Sequence, residues 1–174
     1  MNCGNIASGS VFDRVMSEYN GSEMVIVIED IVVYGGMRVR QQTLDTCKVI
    51  GELMYRFGAD SRVSAVHLIP RPTVKKWIFE AANDIVRPRV DAIIAAKHRR
   101  RLSKGQKGFM SADGSMRAAS FQFVGDREVI AALKYLYDIP TPKPGKSNVY
   151  GLKAHSWQAL AMAAHFAHNG KDGA

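Results

Sequence analysis

Cysteine is scarce and long apolar runs are missing, and these absences exclude several classes of protein. Two cysteines in 174 residues, Cys3 and Cys47, cannot form the disulfide framework of a small secreted domain, and no Cys-x-x-Cys or Cys/His cluster suits zinc. The apolar run 24–28 is far too short to span a membrane, and residues 1–10 lack the order of a signal peptide. We therefore expect a soluble protein of a reducing compartment, the cytoplasm, with no membrane partner.

The signature motifs of several common enzyme families are also missing. No Gly-x-Gly-x-x-Gly follows a predicted strand, no Gly-x-x-x-x-Gly-Lys-Ser/Thr phosphate loop is present, and no Gly-x-Ser-x-Gly elbow occurs. These absences exclude a standard dinucleotide-binding domain, a P-loop enzyme and an α/β-hydrolase.

Positive charge is in excess and is concentrated in one segment. The chain has 24 Lys and Arg against 16 Asp and Glu, a net charge of +8, and nine of the bases lie in residues 84–117 beside three acids. This imbalance favours a polyanionic partner, and Gly105, Gly108 and Gly114 favour a flexible basic arm that becomes ordered on binding. The alternative is a solvated basic loop with no partner.

Apolar periodicity predicts alternating strands and helices. A run of mainly β-branched residues at 24–28 predicts a strand covered on both faces, 40–57 predicts a helix, and 63–69 predicts a second strand. This order indicates one α/β domain, residues 1–174, with its core in about residues 10–80 and 119–168. The other predicted elements are helices at 10–19, 74–82, 126–137 and 152–166, a small strand at 120–124, a polar linker at 141–146 and a basic insertion at 84–118.

A few polar residues stand where chemistry is common. Glu29 directly follows the first predicted strand, and open α/β sheets place ligand and metal sites at the carboxyl ends of their strands. The alternative is an ordinary acid at a strand end, facing solvent. Asp30 points to the opposite face, because strand side chains alternate. His155 and Gln158 are three residues apart and therefore share one face of the last predicted helix.

Five motifs follow one another along the chain. They are Ile-Glu-Asp-Ile at 28–31, Tyr-Gly-Gly-Met at 34–37, Thr-Leu-Asp-Thr-Cys-Lys-Val-Ile-Gly at 43–51, Leu-Ile-Pro-Arg-Pro-Thr-Val-Lys at 68–75 and Tyr-Gly-Leu-Lys-Ala-His-Ser-Trp-Gln-Ala-Leu-Ala at 150–161. In this order they resemble the RuvC-like, phage-type branch of the Holliday junction resolvase family, over roughly residues 24–166. The basic segment 84–118 is not part of that pattern, and we expect it to be an insertion.

The resemblance implies an RNase H-like fold and a metal-dependent, structure-selective DNA endonuclease. Members of this family use Mg²⁺, with Mn²⁺ as a substitute, to hydrolyse a phosphodiester in branched DNA such as a four-way junction. By motif, Glu29 and His155 correspond to metal ligands, and Gln158 stands at a catalytic position where many members keep Asp. A homodimer would match the two-fold symmetry of a junction. The bases expected to contact phosphates are Arg71, Lys75, Lys76, Lys97, Arg99, Arg100, Arg101, Lys104 and Lys107.

Two departures from the family pattern leave three hypotheses open. Gln158 brings no negative charge, and the family's first strand, which carries an Asp ligand, has no counterpart here, so we expect an N-terminally incomplete sheet. The first hypothesis is the endonuclease. The second is a catalytically inactive RNase H-like protein that still binds nucleic acid, and the third is a plain α/β domain with incidental charge.

Overall fold

A computed structural model describes residues 8–32, 39–140 and 154–170 of the chain. Among these residues it has six α-helices and one two-stranded parallel sheet, which confirms the predicted α/β class. The motif at 34–37 and the predicted linker at 141–146 lie outside the described residues. The elements are α1 Ser8–Ser17, β1 Met24–Asp30, α2 Gln41–Gly58, β2 Val63–Pro70, α3 Arg71–Ala81, α4 Asn83–Leu102, a 3₁₀ turn Phe121–Phe123, α5 Asp126–Leu136 and α6 Ala154–Asn169.

The chain divides into two compact units, and the first, Met1–Arg71, contains the sheet. β1 and β2 pair in parallel, with Ile26 opposite Val66. Two parallel strands cannot be joined by a tight turn, and α2 provides the crossover between them and packs on both. α1 packs on α2, where the ring centroids of Phe12 and Phe57 are 5.0 Å apart. Phe57 is buried, so this contact contributes to the apolar core of the unit.

The prediction that residues 24–28 are covered on both faces is wrong. No residue of β1 is fully buried, and the exposed fraction of Val25 is 39%. In the described part of the unit the sheet has two strands and α2 is the main helix packed on it, so β1 lacks the neighbours that bury a central strand.

The second unit, Pro72–Ala174, is helical and holds most of the buried residues. α4 buries a stripe of Val86, Val90 and Ile94, which are four residues apart and therefore lie on one side of the helix. α5 packs between α4 and α6 and contributes the fully buried Val129 and Leu133. No helix of the described residues is long and apolar enough to cross a membrane.

Two predictions about the second unit are wrong. The first half of the expected irregular basic insertion is α4, because the Val86, Val90 and Ile94 stripe gives this charged segment an apolar side that packs in the core. The predicted strand at 120–124 is instead the 3₁₀ turn Phe121–Phe123, where Phe123 and Val124 donate backbone hydrogen bonds three residues back.

Candidate nucleic-acid interface

The excess positive charge belongs entirely to the helical unit. Pro72–Ala174 contains seventeen Lys and Arg against eight Asp and Glu, whereas Met1–Arg71 contains seven against eight. The net charges are therefore +9 and −1, and any attraction to a polyanion must come from the helical unit.

The densest charge is on the last turn of α4. Arg99, Arg100 and Arg101 are all exposed, because the buried stripe of the helix ends at Ile94. Three adjacent arginines in the last turn also face the negative end of the helix dipole, which stabilises them there. The three arginines can therefore stabilise the end of the helix. Their guanidinium groups are exposed and can contact a partner at the same time.

A glycine turn ends the helix and redirects the chain. Gly105 has φ +66°, in the left-handed region that favours glycine. Its N–H donates to the carbonyl of Leu102 (2.9 Å), and the Gln106 N–H donates to that of Arg101 (3.0 Å). This pair of bonds is a Schellman motif, which leads the chain back along α4.

Residues 109–117 form a short hairpin rather than an irregular arm. Met110 and Met116 face each other in an antiparallel bridge, and the Ser111 N–H donates to the carbonyl of Ser115 (2.8 Å). The Asp113 carboxylate accepts hydrogen bonds from the Ser115 hydroxyl (2.7 Å) and backbone N–H (3.0 Å), and these two bonds lower the pKa of Asp113. Gly114 follows with φ +80°, so the turn has a defined conformation.

The hairpin is attached to α4 through His98. The backbone N–H of Phe109 donates to Nδ1 of His98 over 3.0 Å, so the imidazole acts as an acceptor at this nitrogen. The adjacent Gly108 lies against the same ring, where a Cβ would be 2.6 Å from Nδ1. The close approach therefore requires glycine at this position.

Aromatic rings and bases reinforce the attachment. The Phe109 ring meets the Phe123 ring edge to face at 5.5 Å. The Lys97 ammonium lies 5.1 Å from the Phe123 ring centroid and 5.8 Å from that of Phe109, and the Arg117 guanidinium lies 5.0 Å from that of Phe109. Each such contact is worth roughly 0.5–1 kcal/mol at an exposed site, so the hairpin and α4 form one ordered surface.

We call the surface formed by residues 97–117 the basic surface, and its bases have no acidic partners within it. None of the ion pairs seen among the described residues involves a base of residues 97–117. The single acid between residues 97 and 117 is Asp113, which is bonded to Ser115. The bases of the basic surface are Lys97, Arg99, Arg100, Arg101, Lys104, Lys107 and Arg117.

The other predicted phosphate contacts lie outside the basic surface. Arg71 and Lys75 are half-buried and Lys76 is exposed, and all three are on α3. Sequence reasoning missed Phe109 and Arg117 as parts of the interface. The available signal was Asp113 and Gly114, since Asp-Gly is a strong hairpin turn signal.

The predicted site residues lie on two elements, Glu29 on β1 and both His155 and Gln158 on α6. Glu29 is exposed at the carboxyl end of β1, opposite Ile69 of β2. Gln158 donates from Nε2 to the Asp126 carboxylate over 3.0 Å, which ties α6 to the start of α5. His155 is the second residue of α6, and its side chain lies outside the described part of the structure.

Nowhere in the described ranges do three or more His, Cys, Asp or Glu side chains come close enough to hold a metal ion. An Mg²⁺ site of the resolvase kind needs several converging oxygen ligands, and the described residues alone do not supply such a set.

Comparisons of the chain with protein families, with curated proteins and with solved structures find no match.

Proposed function

We propose that this protein binds nucleic acid through the basic surface of its helical unit. The observation that carries the proposal is the run of seven bases across residues 97–117 without an acidic partner. Phosphate contacts supply most of the sequence-independent affinity of a protein for DNA, through the release of bound counterions. A surface already ordered by a helix and a hairpin pays less entropy on binding than a disordered arm would.

The proposal is tested by DNA binding as a function of salt. For duplex DNA the slope of log K against log salt is about −0.9 per phosphate contact, so Arg99→Gln, Arg100→Gln and Arg101→Gln together should reduce its magnitude by about 3. The measurement is the fluorescence anisotropy of a labelled duplex between low and physiological salt.

The matched control removes the same charge from the first unit. Arg14, Arg40 and Lys48 are exposed there, and their combined replacement by Gln should leave the slope almost unchanged. Equal losses in the two triple variants would show that only net charge matters and would remove the basic surface from the proposal.

A resolvase-type endonuclease is the second candidate function, as a more specific form of the first. The favouring observation is that Glu29 is exposed at the carboxyl end of a parallel strand, the position that the resemblance to phage-type resolvases assigns to a metal ligand. With this candidate we also propose an RNase H-like ancestry, Mg²⁺ or Mn²⁺ as the cofactor, and a homodimer that binds a junction.

Cleavage of a four-way junction with Mg²⁺ or Mn²⁺ tests the second candidate. We expect Glu29→Gln to abolish cleavage and to leave junction binding within about twofold, because the bases that bind phosphate are on other elements. Glu23→Gln, an exposed acid just before β1, is the control and should retain activity. Binding without cleavage by the unaltered protein would leave the nucleic-acid-binding function alone.

A further inference from the structure

Two exposed methionines lie in the hairpin that belongs to the basic surface. Met110 and Met116 face each other across the hairpin, with exposed fractions of 40% and 53%. Directly opposed residues of an antiparallel pair project from the same face. The preceding pair, Phe109 and Arg117, projects from the other face, and Phe109 is the residue attached to α4. The methionines therefore project away from α4.

We propose that Met110 and Met116 form an apolar wedge that inserts at an unstacked base step of DNA. The inference rests on the proposed function and adds a substrate class to it, namely duplex DNA with a bulge. Proteins that bend or read distorted DNA insert apolar side chains, methionine among them, between base steps while bases grip the flanking phosphates.

The surroundings of the pair favour this partner over an apolar protein surface. Lys107 lies three residues before Met110 and Arg117 directly follows Met116, and the three arginines that end α4 belong to the same surface. The partner must therefore combine a high negative charge with an apolar gap. Stacked duplex DNA lacks such a gap, whereas a bulge exposes base faces.

The hairpin is also held firmly enough to act as a wedge. The His98 bond, the Phe109–Phe123 contact and the two hydrogen bonds from Ser115 to Asp113 order it from base to turn. A side chain on an ordered hairpin enters a base step without the entropic cost of ordering the chain. Methionine, with an unbranched and polarisable side chain, adapts to an irregular gap.

The test compares two labelled duplexes of the same sequence, one of which carries a single-base bulge beside a 2-aminopurine. The full chain should bind the bulged duplex about tenfold more tightly, the factor expected when a methionine side chain is buried. Binding should also raise the 2-aminopurine fluorescence, because that base becomes unstacked. Met110→Ser with Met116→Ser should reduce the preference to within about twofold and leave plain-duplex affinity and the salt slope unchanged.

Met54→Ser is the matched control, since Met54 is a methionine of α2 with an exposed fraction of 37%. It should keep the preference, and circular dichroism melting should show all variants folded. An unchanged preference in the double variant would overturn the wedge and leave the proposed function standing. Absence of salt-dependent binding to either duplex would overturn the proposed function itself. Methionine-dependent binding to anionic lipid vesicles in place of DNA would overturn the wedge in favour of a membrane surface.

Discussion

At the scale of single residues, the position of the hairpin depends on one imidazole and one glycine. His98 accepts the hydrogen bond that starts the hairpin, and Gly108 allows the backbone to approach the ring. Neither residue adds to the net charge of the chain counted from Lys, Arg, Asp and Glu. Both nevertheless decide whether the bases of the hairpin are ordered.

We expect Gly108→Ala to detach the hairpin from α4, because the new Cβ would overlap the His98 ring. The loss should appear as faster tryptic cleavage after Lys107 and Arg117, by about tenfold, which corresponds to roughly 1.4 kcal/mol of local opening. The melting temperature should change little, since the core of the helical unit lies elsewhere.

Gly51→Ala provides the control for that change. Gly51 is a helical glycine of α2 with open space around it, so alanine there should raise the free energy of unfolding by about 0.5–1 kcal/mol. Unchanged tryptic cleavage in Gly108→Ala would contradict the contact with His98.

Asp60 should stay ionised in more acidic solution than an ordinary aspartate. Hydrogen bonds from the Arg62 guanidinium and backbone N–H lower the pKa of Asp60 from 3.8 to about 2. Because the folded-state pKa is depressed, the stabilisation is present above pH 3.8 and is lost as the pH falls towards 2. NMR titration of the side-chain carboxyl carbon checks the value, and Arg62→Gln should raise the pKa towards 3.8 without fully restoring it, because the variant loses the guanidinium bonds and keeps the backbone N–H bond.

At the scale of elements, α3 and α6 meet through aromatic side chains. The Trp77 ring contacts the His165 ring edge to face at 5.7 Å and lies 6.1 Å from that of His168. Nδ1 of His165 and Nε1 of Trp77 are buried without a hydrogen-bond partner. Burial, and secondarily the neighbouring His168, lower the pKa of His165, so this contact requires the neutral imidazole.

The protein should therefore lose stability in mild acid. The unfolded chain takes up a proton at His165 near pH 6.5 before the folded chain does, so the stabilisation declines as the pH falls below that value. His165→Gln should flatten the dependence of the melting temperature on pH between 7.5 and about 5. His168→Gln should preserve most of it, because burial is the larger cause. Equal slopes in the two variants would contradict the assignment to His165.

The elements that could be predicted from the sequence are those with one clear period. The aliphatic run of β1 and the apolar side of α2 identify both elements and their parallel order. α4 was missed because its buried stripe is narrow and charged residues surround it. The extent of burial of β1 could not be predicted, since it depends on how many strands and helices pack around it rather than on its own residues.

The bases of the basic surface could be predicted in part, because their charge is visible in the sequence. Of the nine bases expected to contact phosphate, six belong to the basic surface, and the other three, Arg71, Lys75 and Lys76, lie on α3.

 The positions of Phe109 and the two methionines could not be predicted from charge, because they depend on the alternation of side chains in a hairpin that tertiary contacts with α4 hold in place.

At the scale of the whole molecule, charge is divided between the two units. The helical unit carries a net charge of +9 and the sheet unit −1. A polyanion is therefore attracted to one unit and is neither attracted to nor strongly repelled from the other.

Hydrogen exchange with and without a plain DNA duplex tests this division. We expect amide exchange in residues 97–117 to slow by about tenfold at saturating DNA, since each 1.4 kcal/mol of added local stability corresponds to a factor of ten. Exchange in β2, Val63–Pro70, should be unchanged. Equal protection in β2 would contradict a contact confined to the helical unit.

The unpaired arginines that end α4 also have a consequence at the bench. A cell lysate offers a large excess of anionic polymer, and the seven bases of residues 97–117, which have no acidic partner, will retain fragments of it during low-salt chromatography. Freshly isolated material should then show an absorbance ratio at 260 to 280 nm well above that of pure polypeptide. A wash in about 1 M sodium chloride, where the screening length falls to about 3 Å, should strip the contaminant and restore the ratio.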